Sequence, residues 1–441
     1  MKRHILYYVA VAALASCSWG RFDDLKHDTG IGLLDRPGNI TGTIGIAVSP
    51  VAKVGMEAAA FVTSATTPTS LVRVSILENG DFSADAHESQ GTGGDVAPIK
   101  PLNTPQSIAA LGADKFVVGV PSAKQVVSFT NAAAGFAGSG TALVPPDNVL
   151  DLTGLAVAVG ALPGVGTAAP DVVVVGQTRV YVIPDGNPAM QATVCALRQP
   201  LSGFSLGNGS VQVRNVAVAT IDGTPKIVVG GAERTGTNGR VVIMDAPTST
   251  DTTGTTPGPP DCPGGFVTGP TDMDAPFALA VGDLDGNGVP DIVVSTHLAT
   301  SGTADTKVCL YLNVTTASTP TCIEVPKPDA NTAVRSQTLR GARLAFAKLD
   351  GGPATSLVVG DPTAIVETKS AGAVSVYKLG GSTLTWTATL WVPGPDGSEN
   401  FGRDLAALPF GSTGADILAV GMKDKVAVYF KIDPTARDPR K

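Results

Sequence analysis

The chain has 441 residues, 43% of them hydrophobic, with 52 glycines, 33 prolines and a formal net charge of −7. That length suffices for a large core or for two to three average domains, and the acidic balance suits cations rather than nucleic acid or anionic lipid. Short Val-rich stretches between abundant glycines and prolines exclude a mainly helical protein and predict an all-β one.

At the N-terminus, Lys2, Arg3 and His4 precede an apolar run, Ile5 to Ala15, too short to span a bilayer as a mature helix. Residues 1–16 therefore read as a secretory signal, which ends in Leu14-Ala15-Ser16-Cys17. That tetrapeptide resembles the lipobox of bacterial lipoproteins. The resemblance implies that Cys17 is acylated and becomes the new N-terminus, the plainer alternative being an ordinary signal with a chance cysteine. Two acyl chains would hold the protein on a membrane surface, and Ser18 after the cysteine favours the outer membrane of a bacterial envelope. Processing leaves 425 residues and, with Lys2 and Arg3 removed, a net charge of −9. No later segment has the roughly 18 uninterrupted apolar residues of a spanning helix. Residues 17–40 read as the lipidated cysteine and a polar tether.

From residue 41 onward the chain repeats itself, and a repeat missed is a fold misread. Seven apolar runs start at Ala58, Lys115, Asp171, Lys226, Asp291, Ser356 and Asp416, with spacings of 57, 56, 55, 65, 65 and 60 residues. Each is preceded by a smaller apolar strand, such as Val216 to Ala219 or Leu279 to Val281, and followed by a third, such as Val180 to Ile183 or Val374 to Tyr377. A fourth, variable strand fills the remainder, as in Thr383 to Val392. Four strands per unit and seven units predict a monomeric seven-bladed β-propeller over residues 41–432, an architecture that removes long open edges by radial repetition. A short tail, residues 433–441, follows. A Thr/Pro/Gly-rich insertion, residues 246–276, interrupts the rhythm between units 4 and 5 and is expected to be flexible.

Gly-Ala-Arg-Leu-Ala at 341–345, Leu357-Val-Val-Gly-Asp-Pro362 and Gly372-Ala-Val-Ser-Val-Tyr377 together resemble one FG-GAP repeat of the integrin α-subunit propeller. Asn400-Phe-Gly-Arg-Asp-Leu-Ala406 supplies the Phe-Gly element, and the likeness extends over about residues 41–430, strongest in units 5 to 7. It implies calcium loops in the hairpins between the first two strands of a blade, and a binding role.

Residues 283–291 read Asp-Leu-Asp-Gly-Asn-Gly-Val-Pro-Asp, with oxygen-bearing side chains at alternate positions around a glycine-permitted turn. A hard Ca²⁺ takes six to eight oxygens at about 2.3 to 2.6 Å. Asp283, Asp285 and Asn287 offer side-chain oxygens, and the Val289 carbonyl and Asp291 carboxylate close the shell. Val294 falls where a helical EF-hand needs a bidentate glutamate, so this is a loop between strands. The expected affinity is that of extracellular modules, about 10⁻⁴ to 10⁻³ M. The corresponding turns at Asp222, Asp350 and Gly411 lack the ligand set.

With Cys17 lipidated, four cysteines remain in an oxidising compartment. Cys309 and Cys322 lie on two strand-like runs joined by a short turn, so they can face each other across a hairpin; Cys195 and Cys262 pair by elimination. Zinc is disfavoured because no CxxC pair and no neighbouring histidine accompanies them.

Gly203-Phe-Ser-Leu-Gly207 matches the hydrolase pattern around Ser205 but precedes a strand-like segment where a nucleophile elbow needs a helix. His27 in the tether, His87 in a loop and His297 after the unit-5 strand make no acid/base constellation. Trp386 and Trp391 read as packing of the outer strand of unit 6 rather than a sugar platform. The expectation is a calcium-stabilised, membrane-anchored propeller, not an enzyme, that recognises or scaffolds a protein or glycan at the cell envelope. The alternative is a propeller-based hydrolase or lyase acting on an extracellular polymer.

Overall fold

The computed structural model turns all seven apolar runs into second strands of antiparallel sheets: Met56–Ser64, Lys115–Val120, Asp171–Val175, Thr224–Glu233, Asp291–His297, Ser356–Asp361 and Asp416–Gly421. We number the sheets 1 to 7 in that order. The structure describes residues 30–35, 43–50, 56–64, 71–77, 87–88, 108–112, 115–120, 125–132, 135–136, 141–143, 156–165, 170–176, 179–187, 189–197, 204–205, 216–233, 239–250, 260–267, 276–297, 306–315, 320–325, 334–335, 343–349, 352, 354–366, 368–391, 400–409, 415–422 and 425–430. The expected signal at 1–16, Cys17 and the expected tail at 433–441 lie outside them. Among the described residues no helix is long and apolar enough to cross a membrane.

The first strands are Thr43–Pro50, Ile108–Gly112, Ala156–Gly160, Val216–Ile221, Pro276–Gly282, Arg343–Ala347 and Asp404–Pro409. Each lies alongside the first strand of the next sheet, and that of sheet 7 lies alongside that of sheet 1. In sheet 3 the order runs first, second, third, fourth as Ala156–Gly160, Asp171–Val175, Arg179–Ile183, Thr193–Ala196, and sheet 5 repeats it with Thr306–Tyr311 and Thr321–Glu324 outermost. Between the second and third strands of sheet 6 the chain makes a small excursion, where Ile365–Val366 and Lys369–Ser370 form a minor sheet with Val334–Arg335.

Antiparallel strands that are solvated on one face alternate apolar with polar residues, yet Asp171–Val175 is a continuous valine run. The packing explains it. Val172 and Val174 join a buried cluster shared with sheet 2, whereas Val173 and Val175 join one shared with Ile227, Val229 and Met244 of sheet 4. Val293 likewise packs toward sheet 6 and Ile292 and Val294 toward sheet 4. Among the described residues the core is therefore a series of layers between successive sheets, and the second strands of sheets 3, 6 and 7 are buried on both faces.

Three boundaries differ from those expected of the sequence. Gly30–Asp35, placed in the tether, is instead the outermost strand of sheet 7, paired antiparallel with Lys425–Phe430. Without it that edge would carry unpaired backbone groups. His87 lies not in a loop but on the His87–Glu88 strand opposite Arg73. The 246–276 insertion contains a fourth strand of sheet 4, Gly264–Val267, and is stitched at its stems to the outer strand of sheet 3. Val194 N donates to the Ser249 carbonyl at 2.8 Å, Ala196 N to Pro260 at 2.8 Å, and Cys262 N to Ala196 at 2.9 Å. Residues 251–259 and 268–275 of the insertion lie outside the described residues.

Candidate metal centre

Two glycines and a proline bar residues 283–290 from continuing the first strand of sheet 5, and the chain instead turns through Gly286 at φ 81° and Gly288 at φ 84°. A Cβ on Gly286 would meet the backbone of Ala354 at 3.2 Å, so the loop lies directly on the matching turn of sheet 6. There Thr355 donates its amide and its hydroxyl to the Asp283 carbonyl, at 3.3 and 2.5 Å.

Asp283, Asp285 and Asp291 each bring a carboxylate oxygen to within 4.8 Å of the others. Loop amides hold them there. Gly286 N and Asn287 N donate to Asp283 Oδ1 at 2.7 and 3.0 Å, and Gly288 N donates to Asp283 Oδ2 at 2.8 Å. Asn287 donates its amide to Asp285 Oδ1 at 3.1 Å and its Nδ2 to Asp285 Oδ2 at 2.9 Å. Asp291 is fully buried and accepts the amides of Leu284 and Asn313, both at 2.8 Å. Burial pushes its carboxyl above the ordinary value, against the downward pull of those two amides. Three carboxylates this close repel one another unless a cation or protons neutralise them. The group can hold a metal ion, and its donors are all hard oxygens.

The structure thus gathers three of the five expected ligands by their side chains. Asn287 stands in the same loop with its Oδ1 accepting from Val289 N at 2.7 Å, and the Val289 side chain is 40% exposed. A residue that the sequence did not announce completes the loop's support: Asn313, just after the third strand, adopts φ 52° and accepts a hydrogen bond from Asn287 Nδ2. Its signal was an Asn at a strand end, a residue type that tolerates the left-handed conformation. The turn in sheet 4, expected to hold no ion, is a two-residue one, Asp222 at φ 51° and Gly223 at φ 74°, as primed hairpins favour.

Both cysteine pairs are bonded. Cys309 and Cys322 face each other in register across the last two strands of sheet 5, and Cys195 of sheet 3 is joined to Cys262 in the stem of the insertion. Ser205 lies on the short Phe204–Ser205 strand opposite Ala232. His297 ends the second strand of sheet 5, and His27 lies outside the described residues. Trp386 packs against buried residues of sheets 5 and 6 and donates Nε1–H to Thr389 Oγ1 at 2.9 Å, while Trp391 packs on the excursion's Ala364 and Val366. No protein-family model matches the chain, and no curated protein matches it.

Proposed function

We propose that the chain is a closed seven-bladed propeller of the FG-GAP kind that binds Ca²⁺ at Asp283, Asp285, Asn287, Val289 and Asp291. In this reading it serves at the bacterial cell envelope as a lipid-anchored recognition or scaffolding module for a protein or glycan. The observation that carries it is the acidic loop, whose three carboxylates converge at the hairpin between the first two strands of a sheet. Closure is supported by the cyclic succession of first strands and by the N-terminal strand that completes the last sheet. Calcium fits better than magnesium, because a loop of backbone and side-chain oxygens on a flexible turn suits a large cation that tolerates irregular coordination. Its place between sheets 5 and 6 gives the ion a stabilising role, since the Asp283 carbonyl is already bonded to Thr355. The strand at Gly30 leaves residues 18–29 as the tether, a reach of about 40 Å when extended. The test is affinity capture from native envelopes with calcium present, followed by elution with chelator. A stoichiometric partner released by chelator is expected; capture that is indifferent to calcium, or no partner at all, would overturn the recognition role.

A further inference from the structure

Asn287 and Gly288, both exposed, form one of four Asn-Gly pairs in the chain, beside Asn79-Gly80, Asn208-Gly209 and Asn238-Gly239. Such a pair holds an electrophile and a nucleophile in adjacent residues. The glycine nitrogen can attack the asparagine side-chain carbonyl carbon, because no Cβ on the glycine shields that nitrogen. The attack has three needs: the nitrogen must lose its proton, the carbonyl oxygen must take negative charge, and an amine must leave.

The acidic loop meets each of them. Gly288 N donates to Asp283 Oδ2 at 2.8 Å, so a carboxylate oxygen already holds the proton that must go. Val289 N donates to Asn287 Oδ1 at 2.7 Å and thus faces the oxygen on which charge develops, as the donor of an oxyanion hole does. Asn287 Nδ2, the departing amine, donates to Asp285 Oδ2 at 2.9 Å and to Asn313 Oδ1, two contacts that fix the rotation of the amide. A Cβ built on Gly288 would meet no heavy atom within 4 Å, so this side of the turn is open to water. The turn itself is held by Gly288 at φ 84° and by the amides of Gly286 and Asn287 on Asp283 Oδ1. Groups fixed in this way start the reaction with much of the ordering already done.

We propose that Asn287 is a self-deamidation site, at which the folded loop promotes attack of the Gly288 nitrogen on the Asn287 side chain. A bond forms between Gly288 N and Asn287 Cγ while Asp283 takes the proton. The Cγ–Nδ2 bond then breaks, the proton passes to the departing nitrogen, and ammonia leaves behind a cyclic imide. Water opens the imide at either carbonyl, giving aspartate or isoaspartate; no oxidant, reductant or other co-reactant enters. Either product adds a carboxylate to the three already clustered there, and isoaspartate also lengthens the backbone of the turn by a methylene.

The purified full chain is incubated in chelator at neutral pH, folded or unfolded in guanidinium, and the peptide bearing Asn287 is followed by mass spectrometry for exchange of amide nitrogen for oxygen and for isoaspartate. Folded protein is expected to deamidate at Asn287 at least fivefold faster than unfolded protein, and Asp283→Asn is expected to bring the folded rate down to the unfolded one. If Asp283→Asn fails a near-ultraviolet circular dichroism check, the comparison of folded with unfolded parent protein decides alone. A folded rate no faster than the unfolded rate, or a folded Asp283→Asn protein that deamidates as fast as the parent, would overturn the proposal. Every rate is read in chelator, so failure here is distinct from failure of the calcium reading.

Discussion

The first hairpins of sheets 3 and 5 are the same device with and without an acidic cluster. In sheet 3, Asp171 accepts Leu162 N at 2.8 Å and Asp185 N at 2.9 Å. In sheet 5, Asp291 accepts Leu284 N and Asn313 N, both at 2.8 Å. Both leucines are buried, both aspartates follow a proline, and Asp185 and Asn313 share a left-handed backbone at φ 53° and 52°. What differs is the pair of residues flanking the leucine, Ala161 and Pro163 in sheet 3 against Asp283 and Asp285 in sheet 5. The lesson is that the last aspartate of the loop is first a structural pin, joining the two turns of its sheet. Asp283 and Asp285 add two carboxylates to that pin and make a cluster that can hold a metal ion.

The staples of the two sheets offer the largest effect. Cys195–Cys262 spans 67 residues and Cys309–Cys322 only 13, so in the loop-entropy account removing them costs about 4 and about 3 kcal/mol. Urea unfolding of the two Cys→Ala double variants should give the lower midpoint for the sheet 3 pair. Equal midpoints would show that the insertion gains nothing from its attachment to the edge of sheet 3.

Next come the pins themselves. Asp171→Ala and Asp291→Ala each leave one buried and one part-buried amide without their carboxylate, for about 3 kcal/mol in chelator. The two losses should match there and diverge in calcium, where only the Asp291 variant forfeits the ion. A mild Asp171 variant beside a severe Asp291 variant in chelator would break the equivalence of the two hairpins.

Smaller still is the ion's own contribution. At calcium tenfold above Kd the stabilisation is about 1.4 kcal/mol, or about 2 °C in Tm for a chain of this size. Asp285→Asn should abolish that shift and, by removing one of three clustered charges, should not lower stability in chelator. Identical melting of the parent protein with and without calcium would remove the metal from the molecule's account.

Much of this comparison was legible in the sequence, and the reason is physical. Second strands buried on both faces need an unbroken apolar centre, so Val172 to Val175 and Ile292 to Val294 announce themselves, and the spacing of such runs carries the repeat. The acidic loop was visible because its oxygen-bearing side chains lie close together in sequence, between Asp283 and Asp291. Apart from the Cys195–Cys262 pair, what could not be read were meetings between distant segments. Gly30–Asp35 pairs with a strand almost four hundred residues away, an outcome that nothing local in Gly-Ile-Gly-Leu-Leu-Asp dictates. Asn313 reaches the loop from another hairpin, and Asp416 accepts Lys348 N from the preceding sheet at 2.7 Å. The Arg343–Asp404 pair joins residues 61 positions apart beside a close backbone approach at Gly360.

The finest distinction between the two hairpins is their response to acid. Burial, the dominant influence, raises the Asp171 carboxyl above its ordinary 3.8 despite the two amides that oppose it. A raised folded value means that the folded state binds the proton more readily than the unfolded chain. The stability it contributes is fully present below 3.8 and is lost as pH rises through the folded value. In chelator, acidifying from neutrality toward that point should therefore stabilise the parent protein relative to Asp171→Asn, by at most one proton's worth, about 1.4 kcal/mol per pH unit. Calcium bound as proposed should reverse the sense in sheet 5 alone, because carboxylate ligands must be ionised and protons compete with the metal. Urea titrations across pH in the parent and variant, with chelator and then with calcium, separate the two hairpins. A parent that instead loses stability relative to Asp171→Asn on acidification would mean that the amides, not burial, govern the sheet 3 pin.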